Sequence, residues 1–188
     1  MSNALARAAQ VTARSNPAQA GGQYLMFNLR EACYAVPIAS IREVVEFHGL
    51  TRIPLAPAVV PGVLNLRGSV IPVVDLSVRI GGPTTAVGRR TCVIIVEMRV
   101  EEGLQPLGVI VDAVSEALEV EAHQLEPRPA FGAGLPTEFV AGMLNLSGRF
   151  VVVLDLPQVL SLSELEQLVT EQTLAGMSGP PRHRDRSA

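Results

Sequence analysis

The chain has 188 residues, of which 48% are hydrophobic and 18% charged, so it can bury a core and is not disordered as a whole. Its formal charge of −3 is uneven: residues 1–21 and 179–188 each carry +2, which leaves −7 for the body between them. Because this body is acidic and only 4% of the chain is aromatic, we do not expect the protein to bind nucleic acid.

Three regions are expected along the chain. Residues 1–21 are small and polar, and we expect a disordered N-terminal tail there. Residues 22–176 are expected to fold, and residues 177–188 to form a flexible C-terminal tail.

Cys33 and Cys92 lie in strand-like runs without CxxC spacing, which predicts reduced, buried thiols.

The middle of the chain contains a duplication. Residues 62–76 recur as residues 142–156, at an offset of 80, with eight of 15 positions identical. Each copy has two strand-like runs around a glycine, Gly68 in the first copy, which predicts a tight hairpin. Each copy ends in Asp-Leu, and we expect Asp75 and Asp155 to cap short helical turns.

A weaker echo precedes each copy. Residues 34–43 resemble residues 107–116, and both are typical of a strand that leads into a turn or a short helical segment. Short strands rich in β-branched residues, joined by Gly- and Pro-rich turns, predict an all-β pair of barrels. The longest apolar stretch, residues 53–66, contains three prolines and is too short to span a bilayer, so we expect no direct membrane insertion.

The end of the folded region carries a helix signal. Ser163 and Glu166 form a capping-box pattern that opens a predicted helix ending near Ala175, with an apolar face to pack on a barrel.

The chain contains no pattern typical of catalysis. Its three histidines, His48, His123 and His183, are far apart and lack ligand-spaced partners, so no metal site is expected. Phosphate-binding and nucleophile motifs are absent from the sequence, as is lysine. We therefore expect a binding module without a cofactor rather than an enzyme.

The segment Leu50–Leu76 resembles the CheW domain, whose hallmark is I-P-x-x-P-x-x-x-x-G-x-x-N-L-R-G-x-x-x-P-V-x-D-L. The matching positions are Ile53, Pro54, Pro57, Gly62, Asn65, Leu66, Arg67, Gly68, Pro72, Val73, Asp75 and Leu76. The resemblance extends over about residues 22–170. It implies two intertwined five-stranded SH3-like β-barrel subdomains, in agreement with the duplication.

The resemblance also implies a function and partners. A stand-alone CheW-like protein would be a non-enzymatic adaptor between the cytoplasmic tips of chemoreceptors (methyl-accepting chemotaxis proteins) and the regulatory domain of the histidine kinase CheA. It would be cytoplasmic, recruited to the inner membrane face through receptor arrays, and at most weakly self-associating. The alternative is an adaptor of another chemosensory-type pathway, such as twitching motility or development.

Arg67 is the most informative single residue, because the second copy has Ser147 in its place and the hairpin therefore does not need an arginine. Either Arg67 contacts a partner, or it forms a salt bridge with Glu43 that orients the turn of the first barrel. Gly62 is expected to permit a strand bend, so that a bulky replacement would disturb a neighbouring interface or the fold.

Six apolar residues come from the equivalent stretches of the two halves. They line either a groove for a receptor helix or the ordinary core. The six residues are Val36, Ile38, Ile41, Val109, Val111 and Val114.

Overall fold

The computed structural model describes residues 21–54, 56–100, 103–128, 134–161 and 165, and most of their regular structure is β-strand. Twelve strands form two six-stranded sheets. In spatial order, sheet I contains β10 (Leu125–Glu126), β11 (Val140–Leu146), β12 (Arg149–Leu154), β2 (Ala32–Pro37), β1 (Gly22–Leu29) and β9 (Ala113–Val120). Sheet II contains β3 (Ile41–Glu46), β7 (Cys92–Val100), β8 (Gly103–Val111), β6 (Ser69–Asp75), β5 (Gly62–Leu66) and β4 (Thr51–Arg52).

Helical structure is sparse in the described residues. The α-helices are α1 (Leu76–Arg79) and α2 (Leu156–Val159), and short 3₁₀ turns cover Ile38–Ser40, Ala122–Gln124 and Thr137–Phe139. No helix in this described part is long and apolar enough to cross a membrane. The predicted all-β class is confirmed.

Several expectations fall on residues that the structure does not describe. Most of the predicted disordered and flexible tails lies there, and so does most of the helix predicted from Ser163 to Ala175. Leu165 of that helix is described, and it is buried in the core.

Both faces of each sheet bury apolar side chains, because alternate residues of a strand point to opposite faces. In β1, Leu25 and Phe27 enter a large cluster formed by residues of both sheets, whereas Tyr24 and Met26 enter a smaller cluster within sheet I. Sheet II has a corresponding smaller cluster of its own, around Val73. The main core thus lies between the sheets, with one satellite core on each outer side.

The duplication organises the topology. Read as β9-β1-β2-β12-β11-β10, sheet I matches sheet II strand for strand. The parallel pairs agree with both sequence offsets, since Val73 pairs with Gly108 and Val153 pairs with Ala35. The hairpin β1–β2 therefore lies in the sheet of the second half, and β7–β8 lies in the sheet of the first half. Strands of the two halves are thus exchanged between the sheets, whereas intertwined barrels stay a prediction.

The sheets differ from the prediction in strand number. Each has six strands rather than five, because the two-residue strands β4 and β10 pair with β5 and β11. Closure of either sheet into a barrel stays a prediction.

The repeated aspartates cap the helices, as predicted. Asp75 Oδ1 accepts hydrogen bonds from the backbone N–H of Ser77 (3.0 Å) and of Val78 (3.4 Å) at the start of α1. Asp155 Oδ1 accepts one from Gln158 N (3.2 Å) at the start of α2.

The cysteines lie in β2 and β7 as expected, but they are half-buried rather than buried.

Candidate partner-binding site

The hairpin between β5 and β6 has the tightest loop that a β-hairpin allows. Leu66 pairs with Ser69, which leaves Arg67 (φ 51°) and Gly68 (φ 87°) as a two-residue loop, both in the left-handed region. Asn65 Oδ1 accepts a hydrogen bond from Gly68 N at 3.1 Å. The repeated glycine is thus explained by its positive φ.

The second copy has the same loop with different chemistry. Ser147 (φ 54°) occupies the position of Arg67, and Asn145 Oδ1 accepts from Gly148 N at 3.0 Å. A positive φ is uncommon for any residue other than glycine, so local conformation gives no reason for an arginine at this position. The reason must lie in what the Arg67 side chain contacts. Asn65 was named from the sequence only as a position of the motif, and the hydrogen bond that each repeated asparagine accepts from its loop was not predicted.

Arg67 contacts Glu43 through both ends of its guanidinium. Nη2 lies 3.0 Å from Glu43 Oε2, and Nη1 lies 3.4 Å from Oε1, so the ion pair is bidentate. The predicted salt bridge is therefore present. The Arg67 side chain is still 77% exposed, whereas that of Glu43 is 20% exposed. The pair thus orients the guanidinium without covering it, and the partner-contact alternative stays open.

This ion pair joins parts of sheet II that are distant in strand order. Glu43 lies on β3, and three strands, β7, β8 and β6, separate β3 from β5. In a flat sheet, four strand spacings amount to roughly 19 Å, which is beyond the reach of an arginine and a glutamate together. Sheet II must therefore curve strongly, and the Arg67–Glu43 pair links its β3 edge to the β5–β6 hairpin.

Gly62 lies at the base of the same hairpin, and its role differs from the predicted one. Its ladder with β6 is regular, and its φ is not in the left-handed region, so a strand bend is not what requires glycine. A Cβ at Gly62 would lie 2.4 Å from the backbone oxygen of Thr51 on β4. At Gly142, the repeat equivalent, it would lie 2.8 Å from the backbone oxygen of Glu126 on β10. Both glycines allow close approach of the neighbouring strand.

The six apolar candidates separate into two groups. Val36, Val109 and Val111 are 0–2% exposed and belong to the core between the sheets. These three are therefore ordinary core residues in this structure, and a partner has no access to them. The other three are partly buried at the edge of the same core. They are Ile38, Ile41 and Val114.

Glu116, which corresponds to Glu43 in the second half, has different neighbours. Burial raises the pKa of the Cys33 thiol, the Arg149 guanidinium opposes that shift, and the Glu116 carboxylate adds to it. Glu116 and Arg149 therefore lie close enough to Cys33 to act on it electrostatically. Arg149 belongs to the second hairpin but stands at the position of Ser69, so it does not reproduce Arg67.

Two exposed apolar residues were not singled out from the sequence. Val70 and Phe150 occupy equivalent positions beside the two hairpin loops, and both are exposed. The offset of 80 residues showed that the two positions are equivalent. Their exposure could not be predicted, because it depends on which parts of each strand the core covers. Within the described part of the chain, no group of three or more His, Cys, Asp or Glu side chains is placed to hold a metal ion.

Comparison with known proteins decides the family. The family model of the CheW-like domain matches residues 23–164. The chain belongs to the CheW-like domain family. Chemotaxis protein CheW of Klebsiella aerogenes is 32% identical to this CheW-like protein over 145 residues, which are 77% of this chain and 85% of that protein. The CheW of Rhizobium meliloti is also 32% identical, over 78% of this chain and 92% of that protein.

A solved structure and a second kind of relative complete the comparison. The crystal structure of the scaffolding protein TtCheW from Thermoanaerobacter tengcongensis has a TM-score of 0.64 and 32% identity, and the match covers 72% of this chain and 85% of that one. Protein FrzA of Myxococcus xanthus is 25% identical over 88% of this chain and 96% of that protein. This CheW-like protein is accordingly a chemotaxis adaptor.

Proposed function

We propose that this CheW-like protein couples the cytoplasmic tips of chemoreceptors to the regulatory domain of a CheA-type histidine kinase, without catalysing a reaction. It would act in the cytoplasm and be recruited to the inner membrane face through receptor arrays. The observation that carries the proposal is the Arg67–Glu43 pair. It holds an exposed guanidinium at a loop where the repeat equivalent, Ser147, has the same backbone conformation.

We assign Arg67 and Glu43 to one partner contact, supported by Gly62 at the base of the hairpin. A guanidinium already fixed by a carboxylate loses little side-chain entropy when it binds, and it retains donors for a partner carbonyl or carboxylate. The half-buried Ile38, Ile41 and Val114 would supply apolar contact at the edge of the main core, where a helix could pack. Val36, Val109 and Val111 would support that edge from the core.

The test is a binding titration of the full chain with the regulatory domain of a CheA from the same organism. We expect Arg67→Ala to weaken binding about tenfold, as loss of a charge-assisted contact would. The matched control is Ser147→Ala, which we expect to leave affinity within twofold. Because an exposed ion pair contributes only about 0.2–1 kcal/mol, Arg67→Ala should lower the free energy of unfolding by no more than about 1 kcal/mol.

Three results would separate the alternatives. Unchanged affinity in Arg67→Ala would exclude Arg67 from the interface with the kinase regulatory domain. Equal weakening in Glu43→Gln would indicate that orientation by the ion pair matters for the contact. Absence of wild-type binding to any such domain would refute kinase coupling.

A second pathway is a specific alternative because of the match with FrzA of Myxococcus xanthus. The chain would then be the adaptor of another chemosensory-type system, with the same fold and the same hairpin contact. The titration distinguishes the two if regulatory domains of every CheA-type kinase of the organism are compared. Tightest binding to the kinase encoded with flagellar chemotaxis genes would support the first proposal.

A further inference from the structure

A cavity of about 530 Å³ opens on sheet II beside the Pro-rich segment between β4 and β5. Its lining is mainly apolar and comes from the segment between β3 and β5, the loop between α1 and β7, and the strand residues Asp75 on β6 and Ile110 on β8. Phe47, Leu50 and Ile110 belong both to this lining and to the sheet II satellite core. The volume lies within the range of ligand pockets and exceeds what one aromatic side chain needs.

The apolar surface continues beyond the cavity itself. Ile53 and Val87 line the opening and are 43% and 61% exposed. Exposed apolar side chains that continue an apolar cavity are a feature of interaction sites. A ligand that covers both the cavity and the rim must be longer than a single side chain.

Arginines lie in the lining of this cavity and in a turn that adjoins it. Arg52 lines the cavity, and within the described residues it has no ion-pair partner. Arg89 and Arg90 lie in the turn from Gly88 to Thr91, which follows Val87 directly. That turn is held beside the cavity because the carbonyl of Thr91 accepts a hydrogen bond from Phe47 N at 3.0 Å. One arginine of the lining and two of the adjoining turn thus lie in this part of a body whose net charge is −7.

Two acidic groups lie nearby. Asp75 lines the cavity but is 1% exposed, and its carboxylate accepts hydrogen bonds from Ser77, Val78 and Thr85. Glu46 precedes Phe47 and lies 3.6 Å from His48, which is a partner when protonated. Of the two described charged residues that line the cavity, Asp75 is thus buried and Arg52 is exposed.

We propose that this cavity, named here the β4–β5 pocket, binds an acidic peptide segment that inserts a large apolar side chain. The apolar lining would take a Leu or Phe anchor, and Arg52, with the arginines of the adjoining turn, would form charge-assisted hydrogen bonds with flanking Asp or Glu. The pocket is a contact site additional to the Arg67 hairpin. The proposal does not rest on kinase or receptor coupling, because it concerns this chain and a free peptide.

The test is fluorescence anisotropy of the full chain with the fluorescein-labelled peptide Asp-Glu-Leu-Phe-Glu-Asp. We expect saturable binding in the micromolar to millimolar range, typical of a short peptide on one pocket. The same peptide with lysines in place of the acids, and one with Ala-Ala in place of Leu-Phe, should each bind at least about tenfold more weakly.

Substitutions locate the binding on the protein. Arg52→Glu and Val87→Asp should each weaken binding about tenfold, since they reverse a rim charge and place a carboxylate at the rim. The matched controls are Arg99→Glu and Val70→Asp, which make the same changes at exposed positions that do not line the pocket, and these should stay within twofold. Absence of saturable binding, equal binding of the lysine peptide, or equal loss in Arg99→Glu would each overturn the proposal.

Discussion

Gly62 is the residue at which one added carbon conflicts most directly with the backbone of a neighbouring strand. Alanine there would bring Cβ to 2.4 Å from Thr51 O, an atom that cannot move without displacing β4. We expect Gly62→Ala to lower the free energy of unfolding by about 2–3 kcal/mol, the usual cost of overpacking, measured by urea denaturation.

The matched control for that substitution lies on β1. Gly22 has no heavy atom within 4 Å of a built Cβ, so Gly22→Ala should change stability by less than about 0.5 kcal/mol. If both variants unfold at the same urea concentration as the wild type, the close approach of β4 does not hold in solution.

The apolar candidates show that the type of a residue does not determine whether it lies in the core or at its edge. Val36 and Ile38 are two positions apart and would share a face if β2 continued, but β2 ends at Pro37 and a 3₁₀ turn begins at Ile38. The alternation is lost there, so one residue lies in the core and the other at its edge. Because both faces of each sheet are buried, hydrophobicity alone does not distinguish an interface residue from a core residue.

At the scale of single elements, the two capped helices occupy equivalent positions in the repeat, but their capping aspartates make different numbers of hydrogen bonds. Asp75 bonds the start of α1 and also accepts from Thr85 N and Thr85 Oγ1, both at 2.8 Å. Asp155 makes one capping bond, to Gln158 N. Asp75 therefore joins its helix to the loop before β7, whereas the Asp155 side chain, among the described residues, bonds only its own helix.

This difference predicts unequal costs of removing the two carboxylates. We expect Asp75→Ala to lower the free energy of unfolding by about 3 kcal/mol, because it leaves buried donors at Ser77 and Thr85 without an acceptor. Asp155→Ala should cost about 1 kcal/mol, as loss of a helix cap usually does. Thermal or urea unfolding of both variants provides the comparison, and a larger loss in Asp155→Ala would contradict this account.

The elements themselves were predictable from the sequence because their causes are local. The repeated glycine of each hairpin needs its positive φ, and each repeated aspartate caps the helix that follows it. The bond from Asp75 to Thr85 was not predictable, since the loop that carries Thr85 has no counterpart pattern in the second copy. The Arg67–Glu43 pair was predicted as an alternative, because an unmatched arginine requires a partner.

At the scale of the whole molecule, the exchange of hairpins makes each sheet depend on both halves of the chain. Strands β3 to β6 precede the loop at residues 81–91, and their sheet is completed by β7 and β8, which follow it. Sheet I likewise needs β1 and β2 from before the loop and β9 to β12 from after it. A repeat pattern in sequence shows that two units exist, but it contains no information on which strands exchange, because that depends on non-local pairing.

The exchange predicts how fragments of the chain behave. Residues 1–88 and 89–188, expressed separately, should each fail to show a cooperative unfolding transition, because in each fragment β-strands lose a hydrogen-bonded neighbour and the main core is divided. Mixed together, they should regain the circular dichroism spectrum and a single melting transition of the intact chain. The cut falls in a loop with exposed residues, where chain breaks are tolerated best.

A control fragment distinguishes the effect of missing strand partners from the effect of fragment length. Residues 38–111 contain all six strands of sheet II in one continuous segment, so sheet II pairing is complete although the face toward sheet I is uncovered. This fragment should retain more β-structure by circular dichroism than residues 1–88, which are longer. Cooperative folding of residues 1–88 alone would mean that β3 to β6 form a stable unit without β7 and β8, and would contradict the exchanged pairing.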